Sequence, residues 1–284
     1  MKLVTTIGEM RDTARDLRSK RATIGLVPTM GFLHEGHLSL IRLAKQHADK
    51  VITSIFVNPT QFGPKEDFSR YPRDLKRDTQ LAESSGNDFL FVPTTEDVYP
   101  SGYHTYVAVE ELTTVLEGKS RPTHFRGVTT VVAKLLNVTM PHLAVFGQKD
   151  AQQVAVIRKM VQDLNIDVEI VVAPIVREPD GLAMSSRNVY LSPSERTESL
   201  VLYQSLQHAR DLVLHGERRS SAVMEGMTKI ICTAPSAAID YISVADPETL
   251  REISILKEGS NSLVSLAVRV GTTRLIDNIL LTIP

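Results

Sequence analysis

Residues 22–37, Ala-Thr-Ile-Gly-Leu-Val-Pro-Thr-Met-Gly-Phe-Leu-His-Glu-Gly-His, constrain this chain more than any other stretch. An apolar, β-branched run from Ala22 to Val27 is punctuated by Pro28 and Gly31. It opens into Leu38, Leu40, Ile41, Leu43 and Ala44, whose spacing is helical. The pattern predicts strand, tight loop and helix, with His34 and His37 where the helix begins. Unpaired backbone N–H groups and the positive end of the helix dipole favour an anion there. Imidazoles at i and i+3 share one helix face, so both can reach a single phosphate.

Two other readings of the histidines stand beside this one. They can be capping residues at a helix start, or metal ligands. The only cysteine is Cys232, and no third ligand lies nearby at zinc spacing. No Gly-Lys-Ser/Thr follows the loop and no complete G-x-G-x-x-G is present, so neither common phosphate-loop pattern applies. What remains is a His-x-Gly-His element, as in the nucleotidyltransferase superfamily and class I aminoacyl-tRNA synthetases. Gly36 fits such a site because a side chain there would obstruct the approach of a nucleotide.

The rest of the chain supplies the frame. Ile7, Met10, Ala14 and Leu17 mark an amphipathic helix over 7–19. Lys50 to Val57 is a near-continuous apolar run, as expected of a strand buried on both faces of a parallel sheet. The loop Asn58 to Pro64 leads through Tyr71-Pro72 into a helix with Leu75 and Leu81, and a strand follows over 88–92. Residues 116–127 are rich in turn formers and carry Arg121, His124 and Arg126; they read as a loop, solvated or functional. A helix over 128–138 and a strand over 142–146 precede Gly147-Gln-Lys-Asp150, which repeats the opening architecture of strand, polar turn and helix. The helix after it carries Val154, Ile157, Val161 and Leu164, and a strand over 168–173 completes the series.

This alternation predicts an α/β fold, a doubly wound parallel sheet, with ligand bound beyond the carboxyl ends of the strands at the switch between its halves. Arg177 to Asn188 then offers Ser185, Ser186 and Arg187 as groups that can donate to a phosphate. After Ser192-Pro193 the pattern changes to helices over 193–215 and 219–232 and strands over 238–245, 262–270 and 273–283. We therefore expect a first domain over 1–176 and a smaller C-terminal α+β domain over 177–284.

Composition narrows the function. With 42% hydrophobic and 23% charged residues the chain is ordinary globular material. A formal net charge of −1 gives no electrostatic reason to expect a nucleic acid. No apolar run approaches the ~20 residues that span a bilayer, and Met1 to Glu9 lacks the apolar core of a signal peptide. A single cysteine permits no intrachain disulfide, and the expected location is the cytoplasm.

Taken together, Pro28-Thr-Met-Gly-x-Leu-His-x-Gly-His37, Ser54-Ile-Phe-Val-Asn-Pro-x-Gln-Phe62, Tyr71-Pro-Arg73, Arg121-Pro-x-His-Phe-Arg-Gly127, Phe146-Gly-x-Lys-Asp150 with Gln152-Gln153, Asp180 to Asn188 and Arg274-Leu-Ile-Asp-Asn278 resemble the pantothenate synthetase family. The motifs occur in order over essentially the whole chain. The resemblance implies a Rossmann-like first domain, a C-terminal domain that closes over the active site, and a homodimer. It implies that ATP adenylates (R)-pantoate with release of pyrophosphate, and that β-alanine then attacks the adenylate to give pantothenate and AMP. It further implies ATP contacts from Met30, Gly31, Phe32, Leu33, His34, Glu35, Gly36, His37, Gly147, Gln148, Lys149, Asp150, Val176, Met184, Ser185, Ser186 and Arg187. Val176 would act through its backbone. Gln61 and Gln153 match the pantoate contacts, with Asn58, Arg121 and His124 as second-rank candidates. His37 is the family's proton donor, and a cationic imidazole there would stabilise the phosphates to similar effect.

The chemistry suits these residues on its own terms. A carboxylate that attacks phosphorus needs fixed positive groups and donors on the phosphates, and His34, His37, Lys149 and Arg187 are of the right kind. Carboxamides both donate and accept, as the carboxylate and hydroxyls of pantoate require. Mg²⁺ is expected, held largely by ATP phosphates, with Asp78 and Asp150 as possible helpers. Gln148 and Phe32 depart from the family, which often has Glu at the first position and a small or polar residue at the second. Two alternatives remain open: another adenylyltransferase of the superfamily, and a catalytically inactive nucleotide-binding protein.

Overall fold

The computed structural model describes residues 1–64 and 66–284. The chain forms two compact units: residues 1–147 with 156–174, and residues 148–155 with 175–284.

The first unit is built on a six-stranded parallel sheet in the order β1-β4-β3-β2-β5-β6. Its strands are β1 (Lys2–Val4), β2 (Ile24–Thr29), β3 (Lys50–Ile55), β4 (Phe89–Phe91), β5 (Leu143–Gly147) and β6 (Glu169–Ala173). Helices α1 (Ile7–Ser19), α2 (Glu35–His47), α3 (Leu75–Ser84), α4 (Thr95–Val98), α5 (Glu117–Ser120) and α6 (His124–Thr139) punctuate it. Helix α7 (Ala151–Asp163) connects β5 to β6. Parallel pairing buries both faces, and Ile24, Leu26, Val27, Val51, Ile52, Ala144 and Val145 are all fully buried. One core packs Leu38, Leu40, Ile41 and Ala44 of α2 against Val27, Val51 and Val145 of the sheet, the helical stripe expected from their spacing.

The topology locates a binding crevice. From β2 the chain moves outward through β3 and β4; it then returns to the other side of β2 with β5 and β6. The switch point is thus the gap between β2 and β5. Pairing there is brief, limited to Gly25 with Leu143 and Leu26 with Ala144, whereas β2 pairs with β3 through Thr29. Pro28, which has no N–H to give, lies past the β5 ladder, where none is required.

Several expectations need adjustment. Residues 116–127 are not one loop: they form α5 and the first turn of α6, with Glu117, Gly118, Phe125 and Gly127 buried. The helix expected over 193–215 is two, α8 (Pro193–Glu198) and α9 (Leu200–Leu214), parted at buried Ser199, whose hydroxyl bonds Arg196 O at 2.7 Å.

In the second unit α9 and α10 (Ser220–Ile231) pack on the antiparallel sheet β7-β8-β9, formed by Ala237–Ala245, Asn261–Val270 and Thr273–Thr282. Leu202, Leu206, Val223 and Met227 meet Val264, Leu266 and Val268 in its core. Among the described residues no helix is long and apolar enough to cross a membrane.

Candidate active site

The loop that follows β2 is held by backbone hydrogen bonds to side chains distant in sequence. Thr29 Oγ1 donates to Ser54 O (2.7 Å) and accepts from Gly31 N (3.2 Å). Gly31 and Phe32 then take positive φ, 84° and 51°, a conformation that is strained for a bulky residue such as Phe32. The carboxylate of Asp78 balances that strain: it accepts from Phe32 N and Leu33 N, both at 2.7 Å. Burial pushes the Asp78 carboxyl above its ordinary value, against the pull of those two donors. Arg77, the next residue on α3, covers the Phe32 ring at 5.3 Å and donates to Leu33 O. The bulky Phe32 is thus accommodated by a cation over its face.

At the head of α2 the two histidines cap the helix. Gly36 N donates to His34 Nδ1 (3.2 Å) and His34 N donates to His37 Nδ1 (3.3 Å), a reciprocal capping box. The ring centroids are 4.1 Å apart. An Nδ1 that accepts an N–H carries no proton, so each neutral ring has its proton on Nε2. The capping and phosphate readings are therefore not exclusive: one nitrogen of each ring orients it and the other remains a donor by chemistry.

Gln61 reaches this loop from the 3-10 turn Pro59–Gln61, with Nε2 2.8 Å from Met30 Sδ. Its carboxamide is oriented by Asn58, whose Nδ2 donates to Gln61 Oε1 (3.1 Å) and to Gly127 O (3.0 Å). Asn58 Oδ1 accepts from the Tyr99 hydroxyl (2.9 Å) and from Thr60. Burial raises the Tyr99 phenol to about 12, which keeps it a donor at all working pH. The Gln61 backbone is gripped as well: His124 Nδ1 lies 2.9 Å from Gln61 O, and Arg121 Nη2 lies 3.3 Å from it. A carbonyl can only accept, so the His124 proton is on Nδ1 and Nε2 faces Arg121 Nη1 at 3.3 Å. Burial and the Arg121 charge lower the His124 pKa to about 4. Arg121 also forks onto Glu66 at 2.7 and 2.6 Å; burial would raise that carboxyl, but the Arg121 bonds and charge hold it below the ordinary value. Asn58, Arg121 and His124 thus form the scaffold of Gln61.

The remaining expected residues lie at Gly147, the end of the 1–147 stretch of the first unit, and in the second unit. Gly147, which ends β5, leads into the 3-10 turn Gln148–Asp150, and Gln153 lies half-buried in the first turn of α7. Residues 176–184 form a hairpin: Met184 N donates to Val176 O (3.0 Å), Arg177 pairs with Ala183, and Asp180-Gly181 makes the turn. A Cβ on Gly181, whose φ is 100°, would overlap the Tyr203 ring. Ser185 caps the 3-10 turn Ser186–Tyr190 by accepting from Arg187 N (3.2 Å), and Asn188 Nδ2 ties it to Glu178 and to Ala183 O. The serine-rich segment is therefore ordered by its own hydrogen bonds.

Of the sequence candidates, the first unit brings Met30, His34, His37 and Gln61 together around one loop. Asp78, read as a possible magnesium helper, has both oxygens engaged by the loop backbone. Among the described residues no group of three or more His, Cys, Asp or Glu side chains could hold a metal. The sequence reading missed Tyr99, the loop-holding role of Asp78, and the partner of Gln148, which is Asn278. Asn278 alone of these lay in a motif already singled out.

Comparison with known proteins agrees with the geometry. The model of the family "Pantoate-beta-alanine ligase" matches residues 2–280. A curated relative from Geobacter sulfurreducens, named pantothenate synthetase, is 55% identical over 281 residues, with 99% of each chain covered. A crystal structure of pantothenate synthetase from Thermus thermophilus superposes with a TM-score of 0.92 at 45% identity, covering 98% of this chain and 99% of the other. The pantoate-β-alanine ligase of Francisella tularensis, solved as a complex with β-γ ATP and β-alanine, gives 0.80 at 36% identity, covering 99% and 97%.

Proposed function

The chain belongs to the pantoate-β-alanine ligase family, and on that premise we propose that it joins (R)-pantoate to β-alanine at the expense of ATP. The first half-reaction forms a pantoyl adenylate and releases pyrophosphate; in the second, the amine of β-alanine displaces AMP to give pantothenate. The observation that carries this reading is the capping box at the head of α2, next to the β2–β5 switch point, with both Nδ1 atoms committed to the backbone. That arrangement suits two Nε2 donors to phosphate oxygens at a helix N-terminus.

In this reading residues 30–37, 147–150, Val176 and 184–187 hold ATP. Lys149 and Arg187 offset the charge that builds on the phosphates as the carboxylate attacks. His37 donates a proton or a charged hydrogen bond through Nε2, with His34 beside it. Gln61 and Gln153 hold pantoate, and the saturation of Asn58 supports a preset orientation for Gln61. Among the described residues no three His, Cys, Asp or Glu side chains gather as a metal cage. Mg²⁺ fits instead as the counter-ion of ATP, which keeps its waters and uses few protein ligands. We further propose a homodimer in the cytoplasm, with residues 177–284 closing over the site.

The test is exchange of labelled pyrophosphate into ATP. Exchange should require pantoate and proceed without β-alanine. Exchange independent of pantoate, or none from soluble, folded protein, would overturn the reading.

A further inference from the structure

The motif Arg274 to Asn278 has no place in the mechanism above, yet its last residue holds the turn from which Lys149 projects. Asn278, on β9, is 3% exposed. Its Nδ2 donates to Gln148 O (3.0 Å) and to Lys149 O (2.9 Å), and its Oδ1 accepts from Gln148 Nε2 (3.1 Å). Two carbonyl acceptors fix which end of the carboxamide is the amide nitrogen. All of these residues belong to the second unit.

Asn278 is itself fixed. Its N–H donates to Asp277 Oδ1 (2.8 Å), and Asp277, 2% exposed, takes a two-pronged bond from Arg177 at 2.6 and 3.0 Å. Arg177 lies 4.2 Å over the Tyr203 ring and donates to Gly181 O (3.0 Å). The clamp therefore stands on a planar, stacked ion pair, a rigid support.

We propose that Asn278 is a positioning residue that acts through Lys149. This inference rests on the reading that Lys149 serves the ATP phosphates. A lysine ammonium is a point charge on a flexible stem, so its placement depends on where the backbone starts the stem. Two amide hydrogens on consecutive carbonyls fix that start. Only a short planar side chain with two donors and one acceptor satisfies all three contacts: Asp lacks the donors, and Gln carries them one methylene too far. Gln148 contributes from the other side, because its donor fills the acceptor of Asn278.

A double-mutant cycle tests this. Asn278→Asp and Asn278→Ala are each made in the parent and in Lys149→Ala, and pantoate-dependent pyrophosphate exchange, ATP affinity by calorimetry and thermal unfolding are measured. In the parent each variant should lose roughly 10²-fold in exchange rate, the scale of a 1 Å misplacement. In Lys149→Ala the same substitutions should cost little further in exchange rate, and ATP affinity should be no lower than in Lys149→Ala alone. Equal fold-losses in both backgrounds would overturn the proposal, since the residue would then act independently of Lys149. Loss of cooperative unfolding in both Asn278 variants would also overturn it, by making the carboxamide a determinant of the fold. A parent without pantoate-dependent exchange would instead overturn the underlying reading.

Discussion

Gly127→Ala isolates the packing that places Gln61. Gly127 lies in the first turn of α6, and a Cβ built there would stand 2.5 Å from the carbonyl carbon and oxygen of Thr60 and 2.6 Å from Gln61 N. Ordinary contact begins at 3.4 Å, so the two backbones must part by about 0.9 Å. No flexible side chain is available to absorb this. Alanine favours helix over glycine by up to about 1 kcal/mol, whereas overpacking a tight contact costs about 1–3 kcal/mol. The substitution should therefore be neutral to destabilising by about 2 kcal/mol. The larger effect is on function. Displacing the turn stretches the 3.0 Å bond from Asn58 to Gly127 O and shifts the Gln61 carboxamide with it. We expect the pantoate KM to rise by roughly 10²-fold, with the ATP KM changed far less. Thermal unfolding and steady-state kinetics with each substrate varied are the assays. A variant more stable than the parent with an unchanged pantoate KM would refute the argument.

Two further expectations follow from the histidines. In His37→Asn the Oδ1 replaces Nδ1 as the capping acceptor but nothing replaces Nε2, so kcat should fall roughly 10²–10⁴-fold with stability kept. His37→Ala should lose the same activity and about 1 kcal/mol of stability as well; turnover near parental in the Asn variant would remove Nε2 from the chemistry. For His124, a folded pKa of about 4 against an ordinary 6.5 means the unfolded chain binds more protons between those values. Stability should then be complete above about pH 6.5 and decline as pH falls to about 4, by at most about 3 kcal/mol. Chemical denaturation across that window should show a shallower acid slope in His124→Gln; identical slopes would count against the assignment.

The parts of this molecule that were legible in the sequence are those set by local periodicity. Leu38, Leu40, Ile41 and Ala44 face the sheet as their spacing requires, and the alternation of strands with helices foretold the parallel sheet. Errors fell where local signals conflict. Gly127 and Pro122 hide the first turn of α6, since only the close approach of Thr60 explains a helical glycine there. Strand β1 is three residues with two exposed, too short to show alternation. Its pairing with β4 is purely tertiary.

The site divides in the same way, and the division has a physical cause. His34 and His37 were legible because both their capping partners and their shared face are three residues away or fewer. Asp78 to Phe32, Tyr99 to Asn58 and Asn278 to Gln148 span 46, 41 and 130 residues. Each is a polar side chain that satisfies a backbone or carboxamide group which burial would otherwise leave unpaired. Such pairings leave no periodic trace, because the demand arises at one end of the chain and is met at another. A loop with two consecutive positive φ values and an N–H at each following position nevertheless demands an acceptor. Asp78 meets that demand with one carboxylate, each oxygen of which accepts one backbone N–H. The shape of the loop thus rests on one buried carboxyl group supplied by α3, more than forty residues further along the chain.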